Sequence, residues 1–427
     1  MLRASCLTPY LAQGRDAFQM SGISIQMSKE GEAVFYLGID VGKRTHVASV
    51  MDDAGKIVLK GFSFPNSSEG GHSLLTRLRA ISDDPAHFLT GMEATGHYWL
   101  ALFSFLEEAG YFIHVINPIQ TDGWRKGTEI RKRKTDIIDS VLIADLIRYG
   151  SFEDTTLANE DMFSLRQLSR YRSYLVGTAG DFKRKIIAVL DQVFPEYDKV
   201  FSKVGVFGKA SKAVLLEYST PDAFNEITAD ALAETLRLAS RNRVGLVKAE
   251  SLKTVALDSF GIRFAQDAFT FQLRSMIEQL NFLESQIKQT EDEIDQLMTS
   301  IQSVIETIPG IGPIIGATIL GEIGDIHKFS NPKKLVAYAG IDASVSQSGQ
   351  FDATHNIMSK RGSPYLRKSL FQAAIVASRS DPVLKAFYEK KRSEGKHHLT
   401  AIGAVSRKLC YIIHAILTKN EPYEIRQ

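Results

Sequence analysis

The stretch Val34-Phe35-Tyr36-Leu37-Gly38-Ile39-Asp40-Val41-Gly42-Lys43 decides how the first half of the chain folds. Residues 34–39 form an unbroken apolar run that delivers Asp40 at its end, as a buried strand does. Residues 45–51 read as a second strand, Asp52-Asp53-Ala54-Gly55 as a turn, and residues 56–62 as the returning third strand of an antiparallel meander. Helical periodicity follows through Leu74, Leu75, Leu78 and Ile81. Residues 87–92 then make a short apolar strand that delivers Glu93. A helix over 97–109 is stopped by Gly110, and a fifth strand over 111–116 is stopped by Asn117-Pro118. A basic loop leads to a last helix over 136–149. The order β-β-β-α-β-α-β-α predicts a ribonuclease-H-like (RuvC-like) α/β domain over residues 34–150, with carboxylates gathered at strand ends and on the last helix.

Ahead of this domain, residues 1–33 lack the charged, apolar and cleavage-site order of a signal peptide and read as a loose leader or an over-called start, with Met20 and Met27 inside it. From about 151 to 302 the composition turns helical. Met276, Leu280, Leu283, Ile287, Ile294, Leu297 and Ile301 fall on alternating four- and three-residue steps, interrupted only by Thr290. Such a seam calls for a helical partner, in this chain or in another subunit, or for an ordinary amphipathic packing face. A mostly α domain over 303–420 opens with Ile308-Pro309-Gly310-Ile311-Gly312-Pro313, a helix-hairpin-helix-like turn whose exposed N–H groups would suit a phosphate. A polar loop spans 342–356. Ser363-Pro364 opens a helix, and the last helix runs over 401–417.

Composition narrows the class. With 427 residues, 44% hydrophobic and 23% charged, the chain has room for several ordinary cores. Its two cysteines, Cys6 and Cys410, offer neither a disulfide framework nor zinc spacing, and a cytoplasmic setting is expected. No apolar run approaches the roughly 20 residues of a bilayer helix, so no membrane role is expected. The net charge is only +2, but residues 359–408 carry twelve Lys or Arg against three Asp or Glu. A second cluster, Arg125, Lys126, Arg131, Lys132, Arg133 and Lys134, faces only Asp122 and Glu129. A solvated face accounts for many such runs, but two patches on a near-neutral chain point to a polyanion.

Four acids stand where the fold brings them together: Asp40, Glu93, Asp136 and Asp139. Gly38 and Gly42 flank Asp40 and are expected to let a metal or nucleic-acid backbone approach. Asp136 and Asp139, three apart at a helix start, project from one face. Hard carboxylate oxygens suit Mg²⁺, and two ions roughly 3.5–4 Å apart activate the attacking oxygen and stabilise the leaving one in phosphodiester chemistry. Singly, each acid has an ordinary explanation as a cap or a surface group. The ordered set is what carries weight.

These residues bear a resemblance. Gly38-Ile39-Asp40-Val41-Gly42-Lys43 with His46, then Met92-Glu93-Ala94-Thr95-Gly96, Asn117-Pro118 and Arg133-Lys134-Thr135-Asp136-Ile137-Ile138-Asp139 resemble the successive blocks of DEDD transposases of the IS110 insertion-sequence class. Ile308-Pro309-Gly310-Ile311-Gly312, Tyr338-Ala339-Gly340-Ile341 and Gln347-Ser348-Gly349 are similar to its C-terminal transposase domain. The resemblance implies that Asp40, Glu93, Asp136 and Asp139 bind divalent metal, with two Mg²⁺ ions expected, and that Ser348 is the nucleophile. The residues alone do not rank Ser348 above Ser344 and Ser346; the match to the Gln-Ser-Gly position does. It further implies DNA as substrate, a structured guide RNA from the same element, and a homo-oligomer, dimer or tetramer, in which carboxylates and serine meet across subunits. Lys134, Arg361, Arg367 and Lys368 fit phosphate contacts, whereas His46 reads as a packed strand residue. Over about 190–265 the resemblance is silent.

The reaction expected is cutting and rejoining DNA for insertion-sequence movement. A site-specific invertase or junction resolvase on the same scaffold is the alternative. A non-catalytic nucleic-acid-binding derivative is disfavoured by the presence of all four acids and Ser348. A sugar-kinase-like phosphotransferase also opens on an Asp-Gly strand but would need a second phosphate-binding glycine loop.

Overall fold

In the computed structural model, β1 (Phe35–Asp40) is the middle strand of a five-stranded mixed sheet. It pairs antiparallel with β2 (Thr45–Met51), which pairs antiparallel with β3 (Ile57–Pro65). On its other side it runs parallel to β4 (Phe88–Glu93), which runs parallel to β5 (Phe112–Ile116), giving the order β3-β2-β1-β4-β5. The described residues are 34–128, 135–150, 152, 159–201, 205–343, 347–348, 351–352 and 357–425. They divide into two units, Met1–Thr156 and Leu157–Gln427.

Alternation along the strands sorts the first unit into two layers. Leu37 and Ile39 of β1 join Phe88 and Met92 of β4 in a core under α1 (Ser68–Arg79) and α2 (Trp99–Glu108). Tyr36 and Leu89 belong to the opposite face. There they meet Ile143, Ala144 and Ile147 of α4 (Asp136–Tyr149), a helix capped by the Thr135 hydroxyl and ended by Gly150 at φ 66°. Between β5 and α4 the structure corrects the sequence reading. Residues expected in a basic loop form α3 (Pro118–Thr128). Asn117-Pro118 ends the strand and also caps a helix, since Asn117 Oδ1 accepts from the Ile119 N–H. Gly123 and Gly127 obscure that helix in the sequence. Trp124 anchors it on α4, its indole 3.4 Å from Asp145 Oδ2 and its ring centroid 5.2 Å from that of Tyr149.

Two glycines set how close α4 lies to the sheet. Gly38 and Gly91 are register partners on β1 and β4. A Cβ on Gly38 would fall 2.1 Å from the Ser140 carbonyl oxygen and 2.3 Å from the Ala144 nitrogen. A Cβ on Gly91 would fall 1.9 Å from Ile147 Cδ1. Gly38 therefore makes room for a helix rather than for the metal or nucleic acid expected there. Gly42 likewise serves a turn, its Cβ position being 2.4 Å from the Thr45 carbonyl oxygen. The Ser49 and Ser140 hydroxyls, 2.8 Å apart, close the same seam. Gly38→Ala is expected to destabilise this unit by roughly 2–3 kcal/mol, because helix backbone rather than a flexible tip must move. Urea or thermal unfolding checks it. Gly123→Ala, with nothing within 4 Å of the added carbon, is the control expected to melt like wild type.

The second unit is helical. The heptad seam finds its partner within the chain: α5 (Glu160–Val193) packs antiparallel on the 36-residue helix over Gln266–Ile301. Arg172–Glu291 (2.6 Å) and Lys183–Glu284 (3.2 Å) bridge the pair. Thr290, the one polar step of the seam, is buried and donates to the Gln286 carbonyl. The intervening helices are α6 (Tyr197–Phe201), α7 (Lys209–Glu217), α8 (Pro221–Glu226), α9 (Ala229–Ser240) and α10 (Leu246–Leu257). They enclose a core around Tyr197, Phe201 and Phe224 at one end of the pair. The long helix that closes this group is α11.

At the other end, a second core gathers α12 (Pro313–Ile323), α13 (Pro332–Tyr338), α14 (Pro364–Ser380), α15 (Pro382–Ser393) and α16 (His398–Lys419). The Pro309-Gly310 turn ahead of α12 departs from the expected phosphate cradle. Ile308 and Ile311 are buried, the Ile311 N–H donates to the Ile308 carbonyl, and a Cβ on Gly310 would lie 2.6 Å from the Ala373 carbonyl oxygen of α14. The polar loop over 342–356 contains a short hairpin, Gln347–Ser348 paired with Phe351–Asp352. α16 is the one described helix long and apolar enough to cross a membrane, longer than the sequence reading allowed. Half of its apolar stretch is buried, and Ile402, Leu409 and Ile413 lie in the core.

Candidate active site

The packing that seats α4 on Gly38 and Gly91 also assembles the acids. Side chains alternate along a strand, so Asp40 lies on the face of Gly38, and Glu93 on the face of Gly91. β1 and β4 are parallel neighbours, so both carboxylates leave the sheet at the same edge, past the strands' C-terminal ends. Asp136 and Asp139 lie in the first turn of α4, ahead of the residues that rest on the glycines. All four line one cavity of about 450 Å³, together with Thr95, Thr121, Asp122 and Arg125.

Each acid is held differently. Asp40 and Glu93 are half-buried, Asp136 is exposed, and Asp139 is buried at 5% exposure. Thr95 Oγ1 donates to Glu93 Oε1 over 3.1 Å, and Thr121 Oγ1 to Glu93 Oε2 over 2.8 Å, so both oxygens of that carboxylate are oriented by hydroxyls. Arg125 Nη2 donates to Asp139 Oδ1 over 2.8 Å, with its Nη1 4.0 Å from Asp122. Five carboxylates and one guanidinium thus line the cavity among the described residues. Acids so crowded repel one another unless cations accompany them. Hard oxygen donors with excess negative charge fit a divalent cation in chemistry and charge. No three described His, Cys, Asp or Glu side chains converge tightly enough to hold an ion in the present arrangement.

Thr95, Thr121 and Arg125 entered no site in the sequence reading as carboxylate partners. The only signal for them was their place after a strand end and three to seven residues into a capped helix. Arg125, expected on a polyanion-binding surface, is directed into the cavity instead. Lys126 stays exposed beside Asp122, 2.6 Å away. Arg131, Lys132, Arg133 and Lys134 lie outside the described residues, as do Ser344, Ser346 and Gly349. His46 is packed, 1% exposed against Phe64, and burial lowers its pKa, with Asn66 opposing.

In the second unit, Ser348 sits on the hairpin opposite Phe351. Arg361 and Lys368 are exposed, while Arg367 donates to the Ala339 carbonyl at 3.2 Å. The sequence reading also missed the polar centre that binds α5 to α12. Glu322, 1% exposed, accepts a bidentate pair from Arg170 at 2.6 and 3.0 Å and a third bond from the Ser363 hydroxyl at 2.8 Å. Beside it, burial and then Arg166 push the Lys328 ammonium down to about 8, with its nitrogen over the Phe329 and Tyr338 rings.

Comparison with known proteins gives this arrangement a class. A transposase family model of the DEDD IS110 type matches residues 37–195, and one described as the transposase IS116/IS110/IS902 family matches residues 302–389. The chain is 24% identical to the insertion element IS110 uncharacterized 43.6 kDa protein of Streptomyces coelicolor, across 92% of this chain and 96% of that protein. It is 24% identical to the pilin gene-inverting protein of Moraxella bovis, across 92% and 98%. Over a shorter span, 28% of this chain and 33% of the relative, it is 31% identical to the transposase for insertion sequence element IS1111A of Coxiella burnetii. Both family models define a transposase. The chain belongs to the IS110 family of DEDD transposases, and DNA is its partner.

Proposed function

We propose that this transposase cuts and rejoins DNA through a divalent-metal site on Asp40, Glu93, Asp136 and Asp139, with Ser348 as nucleophile, on a ribonuclease-H-like N-terminal unit. The observation that carries it is the gathering of four acids, distant in sequence, in one cavity beyond the ends of two parallel strands. The strand order and the helix across β1 support the ribonuclease-H-like assignment. Divalent ions, when bound, supply Lewis acidity to the scissile phosphodiester. The protein's own part is positional. Thr95 and Thr121 keep Glu93 aimed at the cavity, and the Gly38 contact keeps Asp139 beside Asp40.

In the serine step, the Ser348 Oγ–phosphorus bond forms as the bond from phosphorus to the leaving 3′ oxygen breaks. The serine proton ends on that oxygen, leaving a 3′ hydroxyl and serine on the 5′ phosphate. The ester conserves phosphodiester energy, and its reversal against a new 3′ hydroxyl rejoins the strands. Family likeness supports a structured RNA from the same element and a homo-oligomer as partners, and the basic runs over 125–134 and 359–408 suit either nucleic acid. Inversion at a fixed site is the second reading, favoured by the Moraxella bovis gene-inverting relative.

Metal removal tests the site. Cleavage of a duplex bearing the element's end, with its RNA supplied, is expected in Mg²⁺, lost in EDTA and restored by Mn²⁺. Undiminished cleavage in EDTA would sink the metal assignment.

A further inference from the structure

Arg125 does not behave as a surface cation. Its side chain is 16% exposed, against 51% for Asp122 and 71% for Lys126 on the same helix, and it reaches the most buried acid of the cavity, Asp139, whose side chain is 7% exposed. Its Nε is buried with no hydrogen-bond partner among the described residues, so among them the guanidinium is only partly satisfied where it stands. It rides on α3, which is fixed to the site at Thr121–Glu93 and to α4 at Trp124–Asp145. A guanidinium one hydrogen bond from Asp139 occupies an oxygen that a divalent ion would use, and its charge opposes that ion.

We infer that Arg125 is a built-in counter-ion of the carboxylate cavity that a divalent metal must displace from Asp139, and that the phosphate of bound DNA is the anion that then receives it. This rests on the metal reading above. Held by Asp139, Arg125 weakens metal binding. Drawn to a DNA phosphate, it releases that oxygen, so DNA and metal load cooperatively, each raising the affinity for the other by the same factor. The half-satisfied guanidinium fits a group poised between two anions. A protein so arranged would fill its metal site more readily once DNA is present, which favours strand cutting in the loaded complex.

The test is Mn²⁺ binding to the full-length protein, by titration calorimetry, with and without a non-cleaved duplex, for wild type, Arg125→Gln and Arg125→Lys. Arg125→Gln is expected to bind Mn²⁺ roughly tenfold more tightly without DNA, the scale of one charge-assisted hydrogen bond lost by the competitor. DNA should tighten Mn²⁺ binding to wild type and do so much less in Arg125→Gln. Arg125→Lys keeps the charge without the planar fork and should fall between, which also guards against a glutamine variant that misfolds. Equal or weaker Mn²⁺ binding by a folded Arg125→Gln protein would overturn the inference while leaving the metal site standing. No Mn²⁺ binding to any form, with or without DNA, would remove the metal reading and this inference together.

Discussion

Asp40→Asn is expected to lower strand cleavage at least roughly a thousandfold, about 4 kcal/mol of transition-state stabilisation, while the protein folds as before and, with divalent metal removed, binds DNA like wild type. Asp40 ends the central strand and faces Glu93 from the adjacent parallel strand, with α4 bringing Asp139 across the same face. It is the acid with neighbours on both sides, so loss of its charge weakens any cation held between the strands and the helix. Asparagine keeps the shape and one oxygen, so the sheet has no reason to change. Cleavage of labelled duplex in Mg²⁺, beside circular dichroism and DNA-binding controls, measures it. Glu93→Gln and Asp139→Asn should behave alike. The exposed Asp136 is expected to matter less to stability than Asp139, which is buried against Arg125. Full recombination by a folded Asp40→Asn protein would be incompatible with the assignment.

Ser348→Ala should remove a covalent intermediate. If Ser348 attacks, the trapped reaction on labelled DNA contains protein joined to a 5′ phosphate, sensitive to protease, and the alanine variant has none. The change deletes one oxygen from a residue on a two-residue strand, so folding and DNA binding should survive. Ser344→Ala and Ser346→Ala, on the same stretch, are the matched controls and should retain the adduct. An adduct in the Ser348→Ala protein, or none in an active wild type, would assign the attack to another group. Water as nucleophile would give free ends only, and the carboxylate site would still be needed for it.

The sequence alone determined the sheet-bearing unit well, for a local reason. Each strand there is a short apolar run closed by a turn or an acid, so strand β2 at Thr45–Met51 was legible to the residue and the remaining strands to within a few residues. The placement of the four acids was legible for the same reason, because strand ends and a helix cap are local features. The partner of the heptad seam was not legible, since apolar spacing marks a sticky face without saying whether α5 or another chain will cover it. The helix over Pro118–Thr128 was hidden because two glycines and a basic run outweigh a good cap in local propensity, and tertiary contacts, Trp124 resting on α4, Thr121 on Glu93 and Arg125 on Asp139, make the helix worth forming.

Tertiary structure also reassigned the glycines and the arginines. Gly38 looked like room for a ligand, yet the group that approaches it is the Ser140 carbonyl, four strands and three helices away along the chain. Arg125 and Lys126 are adjacent and chemically alike in the sequence; a turn of helix sends one into the cavity and the other to solvent. Sequence spacing states which side chains are available and what charge they bring. Which of them share a cavity depends on how closely one helix settles on one sheet, and that distance was set by two glycines paired across β1 and β4.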